Sequence, residues 1–199
     1  EFLYSVNELE VDHYETIVAN DDIINSYIND EVVEVHGKKI WKDLDNKLET
    51  RPESITVLLY QSGLKTPFKE QVVVPNENGD WEYSFTDLPK YDSKLNEYTY
   101  RVEEVEIPDY TLNVDGYDLT NTYKNNQKTE VSGEKIWMDL ENKLSTRPDS
   151  ITVELYQNGN DQPYQTQEVT PNAQGDWKYD FKELPKYDEN YDLYEYTVK

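Results

Sequence analysis

The chain has 199 residues, 42 of them acidic and 19 basic, so its formal net charge of −23 argues against binding to nucleic acid or an anionic membrane. It has no cysteine, which excludes disulfides and thiolate catalysis, and its two histidines, His13 and His36, leave little material for a histidine-based triad or a zinc site. It also has no run of about 20 apolar residues and no signal-peptide pattern, so we expect any export signal to lie outside this stretch.

An internal repeat with a period of 96 residues (131 minus 35) organises the sequence. The segment Val35–Asp43 (VHGKKIWKD) returns as Val131–Asp139 (VSGEKIWMD), and the register then continues without a gap. The period also runs backward, because Tyr4–Glu8 and Asn25–Tyr27 each lie 96 residues before a similar segment. The chain therefore contains parts of three repeats.

We predict three domains or partial domains from this period. Residues 1–34 would be the C-terminal strands of a preceding repeat, 35–127 one complete repeat, and 131–199 the N-terminal part of a following repeat that lacks its last strands. The polar stretches 29–34 and 125–130 are the predicted linkers. Two interpretations of the incomplete ends stay open: an excerpt of a longer tandem array, or ends that neighbouring chains complete by strand addition.

Each repeat has the pattern of an all-β domain. The first predicted strand is Val35–Trp41, and Ile55–Leu59 follows with period-two alternation. Asn78-Gly79 marks a turn before the alternating strand Trp81–Phe85. Short strands separated by Pro, Gly, Asn and Asp over about 90 residues predict a small antiparallel β-sandwich.

Three polar side chains fall on faces that the alternation assigns to the core. Position 38 changes sign between repeats, as a solvent-facing position can, so its neighbours Lys39 and Lys135 are assigned inward. Glu104 shares a face with tyrosine and valine in the penultimate strand. Asn121 shares a face with leucine and tyrosine in the last strand, and Asn25 is its counterpart in the preceding repeat.

A buried ion or unpaired amide is costly, so this cluster allows two interpretations. One is a satisfied ion pair between Lys39 and Glu104, with Asn121 capping a sheet edge. The other is chemical, because an apolar environment lowers the pKa of a lysine and raises that of a glutamate until both are neutral near pH 7. Attack of the Lys39 amine on the Asn121 amide would then release ammonia and leave a crosslink, with Glu104 shuttling protons.

Several spaced motifs together resemble the Cna B-type repeat of stalks in Gram-positive surface adhesins and pilins. They are Lys-x-Trp at 39–41, Arg-Pro-x-Ser-Ile-x-Val at 51–57, Gly-Asp-Trp at 79–81, Leu-Pro-Lys-Tyr-Asp at 88–92 and Thr-Asn-Thr-Tyr at 120–123. The resemblance covers essentially the whole chain. It implies an inverse-immunoglobulin or transthyretin-like β-sandwich with a Lys–Asn isopeptide bond between the first and last strands.

Carried onto this sequence, the resemblance makes Lys39 the nucleophile, Asn121 the acceptor and Glu104 the proton shuttle. Glu8 and Asn25 match the acid and the acceptor of the preceding repeat, and Lys135 matches the lysine of the following repeat. If neighbouring chains complete the ends, Lys135 would join Asn25 of the next chain, and a head-to-tail filament would become covalent.

We therefore expect a structural stalk or fibre module of an extracellular, wall-attached bacterial surface protein. Its partners would be neighbouring repeats and, in a filament, further copies, with no nucleic acid, membrane, cofactor or metal and no enzymatic activity beyond one self-crosslinking turnover. The alternative is an adhesin module that binds a host protein or carbohydrate directly, although many of the 18 tyrosines recur at core-facing positions. Calcium binding at 43–46 or 139–142 is disfavoured, because the spacing does not match an EF-hand loop.

Overall fold

The computed structural model describes residues 3–199, which form strands, turns and loops but no helix. Hence this part of the chain offers no helix of the length and apolarity that a bilayer crossing requires. The first two residues of the predicted segment 1–34 lie outside the described residues. The chain divides into two compact units, the first made of Glu1–Lys42 and Arg51–Tyr123 and the second of Asp43–Thr50 and Lys124–Lys199.

The first unit contains a hairpin and a two-sheet sandwich. Its strands are β1 (Tyr14–Ala19), β2 (Asp22–Tyr27), β3 (Val32–Lys42), β4 (Ile55–Gln61), β5 (Lys69–Val73), β6 (Trp81–Pro89), β7 (Tyr100–Glu104), β8 (Tyr110–Asp115) and β9 (Asp118–Tyr123). The hairpin is β1–β2, and the two sheets have the orders β6-β3-β9-β8 and β5-β4-β7. The all-β sandwich predicted from the sequence is confirmed.

The pairing of β3 with β9 is parallel, whereas the other paired strands are antiparallel. Lys39 lies opposite Leu119 and Trp41 opposite Asn121 in this register. The prediction of a purely antiparallel sandwich is therefore wrong at this one pair. The first and last strands of a repeat are not joined by a hairpin, so the chain between them leaves a parallel pairing possible.

The core lies between the two sheets and follows the alternation of the sequence. Buried and less buried residues alternate along β4, and Val57, Leu59, Leu88 and Leu119 have no measurable exposure. The predicted turn before β6 is confirmed, with Gly79 at a φ of +87°. Burial of these aliphatic side chains between the sheets is the main stabilising contribution.

The strand β3 begins earlier than the sequence predicts. It starts at Val32, so the predicted linker 29–34 is wrong in its second half. The pairing of β3 with β6 shifts where Glu34 of β3 lies opposite both Thr86 and Asp87 of β6, which marks a bulge in β6. The extra residue interrupts the alternation of burial in β6, whereas the alternation in β3 is unbroken from Val32 onward.

The second unit has five strands in two sheets. They are β10 (Lys128–Lys135), β11 (Ile151–Gln157), β12 (Gln165–Val169), β13 (Trp177–Pro185) and β14 (Tyr196–Val198). The sheets have the orders β10-β13 and β12-β11-β14, around a core that includes Leu155, Phe181 and Leu184. Within residues 3–199 no strand pairs with the second edge of β10, the edge that would correspond to the β9 side of β3.

Candidate functional site

Three strands of the first unit bring a lysine, a glutamate and an asparagine together. Lys39 lies in β3 and Asn121 in the adjacent β9, while Glu104 ends β7 in the facing sheet. Lys39 is 5% exposed and Asn121 1% exposed, so the inward faces assigned to them are confirmed. The cluster lies inside the sandwich, between the first and last strands of the repeat.

The carboxylate of Glu104 joins the other two side chains. Lys39 Nζ donates a hydrogen bond to Glu104 Oε2 at 3.0 Å and lies 2.8 Å from Oε1. Asn121 Nδ2 donates to the same Oε2 at 2.6 Å. The side chains of Lys39 and Glu104 are 0% and 1% exposed, so this contact is shielded from water.

The electrostatics of the cluster shift the Lys39 amine toward its neutral form. Burial lowers the pKa of Lys39 because the charged form loses its hydration, while the hydrogen bond and charge of Glu104 oppose that shift only in part. A neutral lysine is a nucleophile, whereas an ammonium group is not. The environment of Lys39 is thus the one that nucleophilic chemistry requires.

Aromatic rings enclose the amine. Lys39 Nζ lies 4.6 Å from the centroid of the Trp41 ring. Trp41 in turn packs edge to face on Trp81 and Tyr110, with ring centroids 5.5 Å and 5.1 Å apart. These rings keep the surroundings of the cluster apolar, which strengthens each electrostatic interaction inside it.

Two acceptors in the cluster have no hydrogen bond, Glu104 Oε1, which has only the ion-pair contact with Lys39, and Asn121 Oδ1. The side-chain oxygen Oδ1 of Asn121 is buried, and no partner for it occurs among residues 3–199. A buried unsatisfied oxygen costs about 1–3 kcal/mol, so an arrangement that supplies a donor to it would be favoured. The Asn121 amide would therefore gain stability from a rearrangement that gives its Oδ1 a hydrogen-bond donor.

The two candidate residues of the preceding repeat lie together, Glu8 partly buried and Asn25 exposed. Thr16 Oγ1 lies 2.7 Å from Asn25 Oδ1 and 3.2 Å from Glu8 Oε2, so it bridges the two side chains. Asn25 is exposed, as are its neighbours on that face, Ile23 and Tyr27. The inward assignment of Asn25 is wrong in this structure, because no second sheet covers the hairpin in the part of the chain that is described.

Lys135, the candidate lysine of the following repeat, is also exposed. Its amine lies 5.0 Å from the centroid of the Trp137 ring, which reproduces the relation between Lys39 and its tryptophan. A cavity of about 400 Å³ lies beside it, lined also by Val153, Tyr179 and Val198. Lys135 thus lies beside its tryptophan, as the inward assignment predicts, but it is not buried, because no strand covers that face within residues 3–199.

The acidic loop of the second unit is a structural turn. Asp139 accepts hydrogen bonds from Arg147 Nε at 2.8 Å and Nη2 at 2.6 Å, and from the backbone N–H of Asn142. The guanidinium group lowers the pKa of Asp139 to about 2. Its oxygens are therefore occupied, and residues 3–199 hold no group of three or more acidic, histidine or cysteine side chains that could bind a metal ion.

Alternation and spacing gave no indication that Gly37, Tyr83 and Asp118 meet at the turn before β9. Their signal was present, because each recurs at the 96-residue period, Asp118 as Asp22 and Gly37 as Gly133. Their contacts with the turn before β9 are described below. Spacing alone does not disclose such contacts.

The fold and the cluster define a β-sandwich repeat whose first and last strands carry a buried lysine and asparagine beside a glutamate. The family model described as Cna protein B-type domain matches residues 35–122 and 131–199. The chain belongs to this family, so the resemblance found in the sequence is confirmed.

Named relatives are surface adhesins. The chain is 36% identical to a collagen adhesin of Staphylococcus aureus over 200 residues, a match that covers 98% of this chain but only 16% of that protein. It is similar to the solved structure of two B repeat units of the S. aureus collagen binding protein, at 32% identity and a TM-score of 0.49, covering 96% of this chain and 50% of that chain. A single B repeat unit of that protein matches at 32% identity and a TM-score of 0.44, covering 85% of each chain.

Proposed function

We propose that the chain is a structural stalk module of a bacterial cell-surface protein, stabilised by a spontaneous amide crosslink between Lys39 and Asn121. The observation that carries the proposal is that both side chains contact one oxygen of Glu104 in a cluster shielded from water. Membership of the Cna B-type family and the surface location that the relatives' names state support an extracellular position. We keep residues 35–127 as the proposed complete repeat.

The reaction begins with a proton transfer from the Lys39 ammonium to the Glu104 carboxylate. The neutral amine then attacks Asn121 Cγ, and a new C–N bond forms as Glu104 protonates the carbonyl oxygen. Nζ then gives up a proton through Glu104 to Nδ2, the bond from Cγ to Nδ2 breaks, and the carbonyl re-forms as its hydroxyl proton passes through Glu104 to the departing ammonia, which leaves as ammonium. One amide and one ammonium ion replace one ammonium group and one amide, and Glu104 is not consumed.

The orientation of the Asn121 amide fits the state that precedes this reaction. Nδ2 faces the Glu104 carboxylate, and Oδ1 has no partner among the described residues. A half-turn of the amide would direct Oδ1 toward Glu104 once the latter is protonated, and would satisfy the unpaired oxygen. A neutral carboxyl beside a neutral amine is then the reactive arrangement.

The mechanical consequence follows from the strand order. The crosslink would join β3 to β9, which are neighbours in one sheet and are the first and last strands of the repeat. Tension that enters at one end of the repeat would pass through the amide to the other end. The strands between Lys39 and Asn121 would then carry none of it.

The intact mass of the denatured chain tests this proposal. We expect the parent to be lighter than its sequence mass by one ammonia, and the Glu104→Gln variant to have the full mass. Glu103→Gln is the matched control, because Glu103 is the exposed neighbour and should leave the crosslink intact. Full mass in the parent would refute the crosslink and leave an ordinary buried ion pair.

We further propose that Lys135 and Asn25 have the same roles in their own repeats, with Glu8 as the acid beside Asn25. Two observations favour a second reaction between copies: a cavity lies beside Lys135, and the hairpin that carries Asn25 is exposed. By the 96-residue period, these segments match the first and last strands of one repeat. The product would be a concentration-dependent ladder of species that resist boiling in detergent. Lys135→Met and Asn25→Leu should each abolish the ladder. A single monomer band from the parent at high concentration would refute this second proposal.

A further inference from the structure

Two hydrogen bonds outside the strand ladders hold the turn between β8 and β9 against its neighbours. The hydroxyl of Tyr83, in β6, donates to the backbone carbonyl oxygen of Tyr117 in this turn. The backbone N–H of Lys38, in β3, donates to Asp118 Oδ1 at 2.9 Å. Asp118 is the first residue of β9 and precedes the acceptor Asn121 by three positions.

Close approach of this turn requires a glycine in β3. A Cβ atom on Gly37 would overlap both the carbonyl oxygen of Tyr117 and the hydroxyl of Tyr83. Backbone atoms cannot move aside as a flexible side chain can, so any other residue at this position would displace the turn. Gly37, Tyr83 and Asp118 together form what we call the turn latch.

The position of the latch bears on the register of β9. The parallel pairing of β9 with β3 extends only from Leu119 opposite Lys39 to Thr122 opposite Lys42. A slip of one residue would turn Asn121 away from the core, because side chains alternate between faces. A bond at Asp118 fixes the first residue of β9, and with it the face on which Asn121 lies.

We propose that the turn latch positions Asn121 for the crosslinking reaction, with Tyr83 and Asp118 as positioning residues. This inference rests on the proposed crosslink between Lys39 and Asn121. The latch sets which side chain of β9 meets the buried amine, and it does so through backbone groups of the turn and of β3. Neither positioning residue takes part in the proton transfers.

The Tyr83 hydroxyl is suited to act as a permanent donor. Burial raises its pKa most, and the charges of Asp118 and Glu104 raise it further. The hydroxyl therefore keeps its hydrogen at neutral and moderately alkaline pH, where the reaction would run. Its bond to the carbonyl of Tyr117 does not depend on pH in that range.

The chain contains matched copies of the latch residues that do not form one latch within residues 3–199. Gly133 and Tyr179 repeat the glycine and tyrosine in the second unit, where a Cβ on Gly133 would overlap the Tyr179 hydroxyl. Asp22 repeats Asp118 at the start of β2. Substitutions at Tyr179 and Asp22 therefore control for the chemical change itself, without any effect on the register of β9.

The rate of crosslinking during refolding tests the proposal. Full-length chain is isolated unreacted from inclusion bodies, refolded by dilution, quenched in denaturant at intervals and weighed by mass spectrometry for loss of one ammonia. We expect Tyr83→Phe and Asp118→Leu to react roughly ten- to a hundredfold more slowly than the parent, the loss typical of a small misplacement of reacting groups. Asp118→Asn keeps an acceptor for the Lys38 N–H and should react at close to the parental rate.

The controls separate positioning from stability. Tyr179→Phe and Asp22→Leu should keep the parental rate, and so should Val73→Ala, which truncates the core in the opposite sheet and lowers the unfolding temperature. Parental rates in both Tyr83→Phe and Asp118→Leu would overturn the latch while leaving the crosslink established. If the parent itself never loses ammonia, the proposed crosslink is refuted. The latch still predicts that the Lys38 amide exchanges its hydrogen faster in Asp118→Leu than in Asp118→Asn. Equal exchange rates in these two variants would refute the latch.

Discussion

Loss of the crosslink should lower the unfolding temperature of the first unit by a large and calculable amount. The perturbation is the double variant Lys39→Met/Glu104→Gln, which removes the nucleophile and leaves no charge in the cluster. The amide between Lys39 and Asn121 closes a loop of roughly 80 residues, and loop-closure entropy then contributes about 4.5 kcal/mol. For a domain of this size that corresponds to a fall of roughly 20–35 °C.

The unfolding temperature of the single variant Glu104→Gln should be lower than that of the double variant. It also abolishes the crosslink, but it leaves the Lys39 amine buried without its carboxylate partner. Removing one member of a buried ion pair costs about 3–5 kcal/mol, reduced here to the extent that Lys39 becomes neutral. The difference between the two variants therefore measures the cost of the unpaired amine.

Scanning calorimetry provides the measurement, and hydrogen exchange of peptides from β4 assigns the transition to the first unit. The mass of each sample is recorded first, so that the parent is known to be crosslinked and the variants are known not to be. A double variant that unfolds within a few degrees of a fully crosslinked parent would refute the reasoning. Loop closure would then contribute little, and the amide would have no large effect on thermal stability.

Three further predictions concern the loop and core of the repeats. The stability that the ion pair of Asp139 with Arg147 contributes is present above the ordinary carboxyl pKa of 3.8 and is lost as the pH falls toward about 2. The urea midpoint of Arg147→Met should therefore change less with pH in that range than the midpoint of the parent does. Leu88→Ala, at a fully buried site, should lower the free energy of unfolding by about 2–5 kcal/mol, whereas Val72→Ala at an exposed site should change it by at most about 0.5 kcal/mol. Gly79→Ala should cost about 1 kcal/mol by chemical denaturation, because its φ of +87° disfavours a side chain although no atom lies near enough to clash.

The sequence anticipated much of the candidate site. Alternation along single strands assigned Lys39 and Asn121 to inward faces, and the structure buries both. The same alternation assigned Lys135 and Asn25 inward, and both are exposed. Alternation fixes only the side of a strand on which a residue lies, and whether that side is buried depends on which other strands cover it.

By itself, the sequence determined the repeat, the strands and the residue types of the cluster, because these depend on neighbours along the chain. Only the tertiary structure decided the parallel pairing of β3 with β9, the bulge of β6 at Thr86 and Asp87, and the turn latch. The latch bonds to a backbone carbonyl at Tyr117 and a backbone N–H at Lys38, and every residue other than proline carries both groups. No residue type marks which of them will meet, so their pairing becomes visible only when distant strands have packed together.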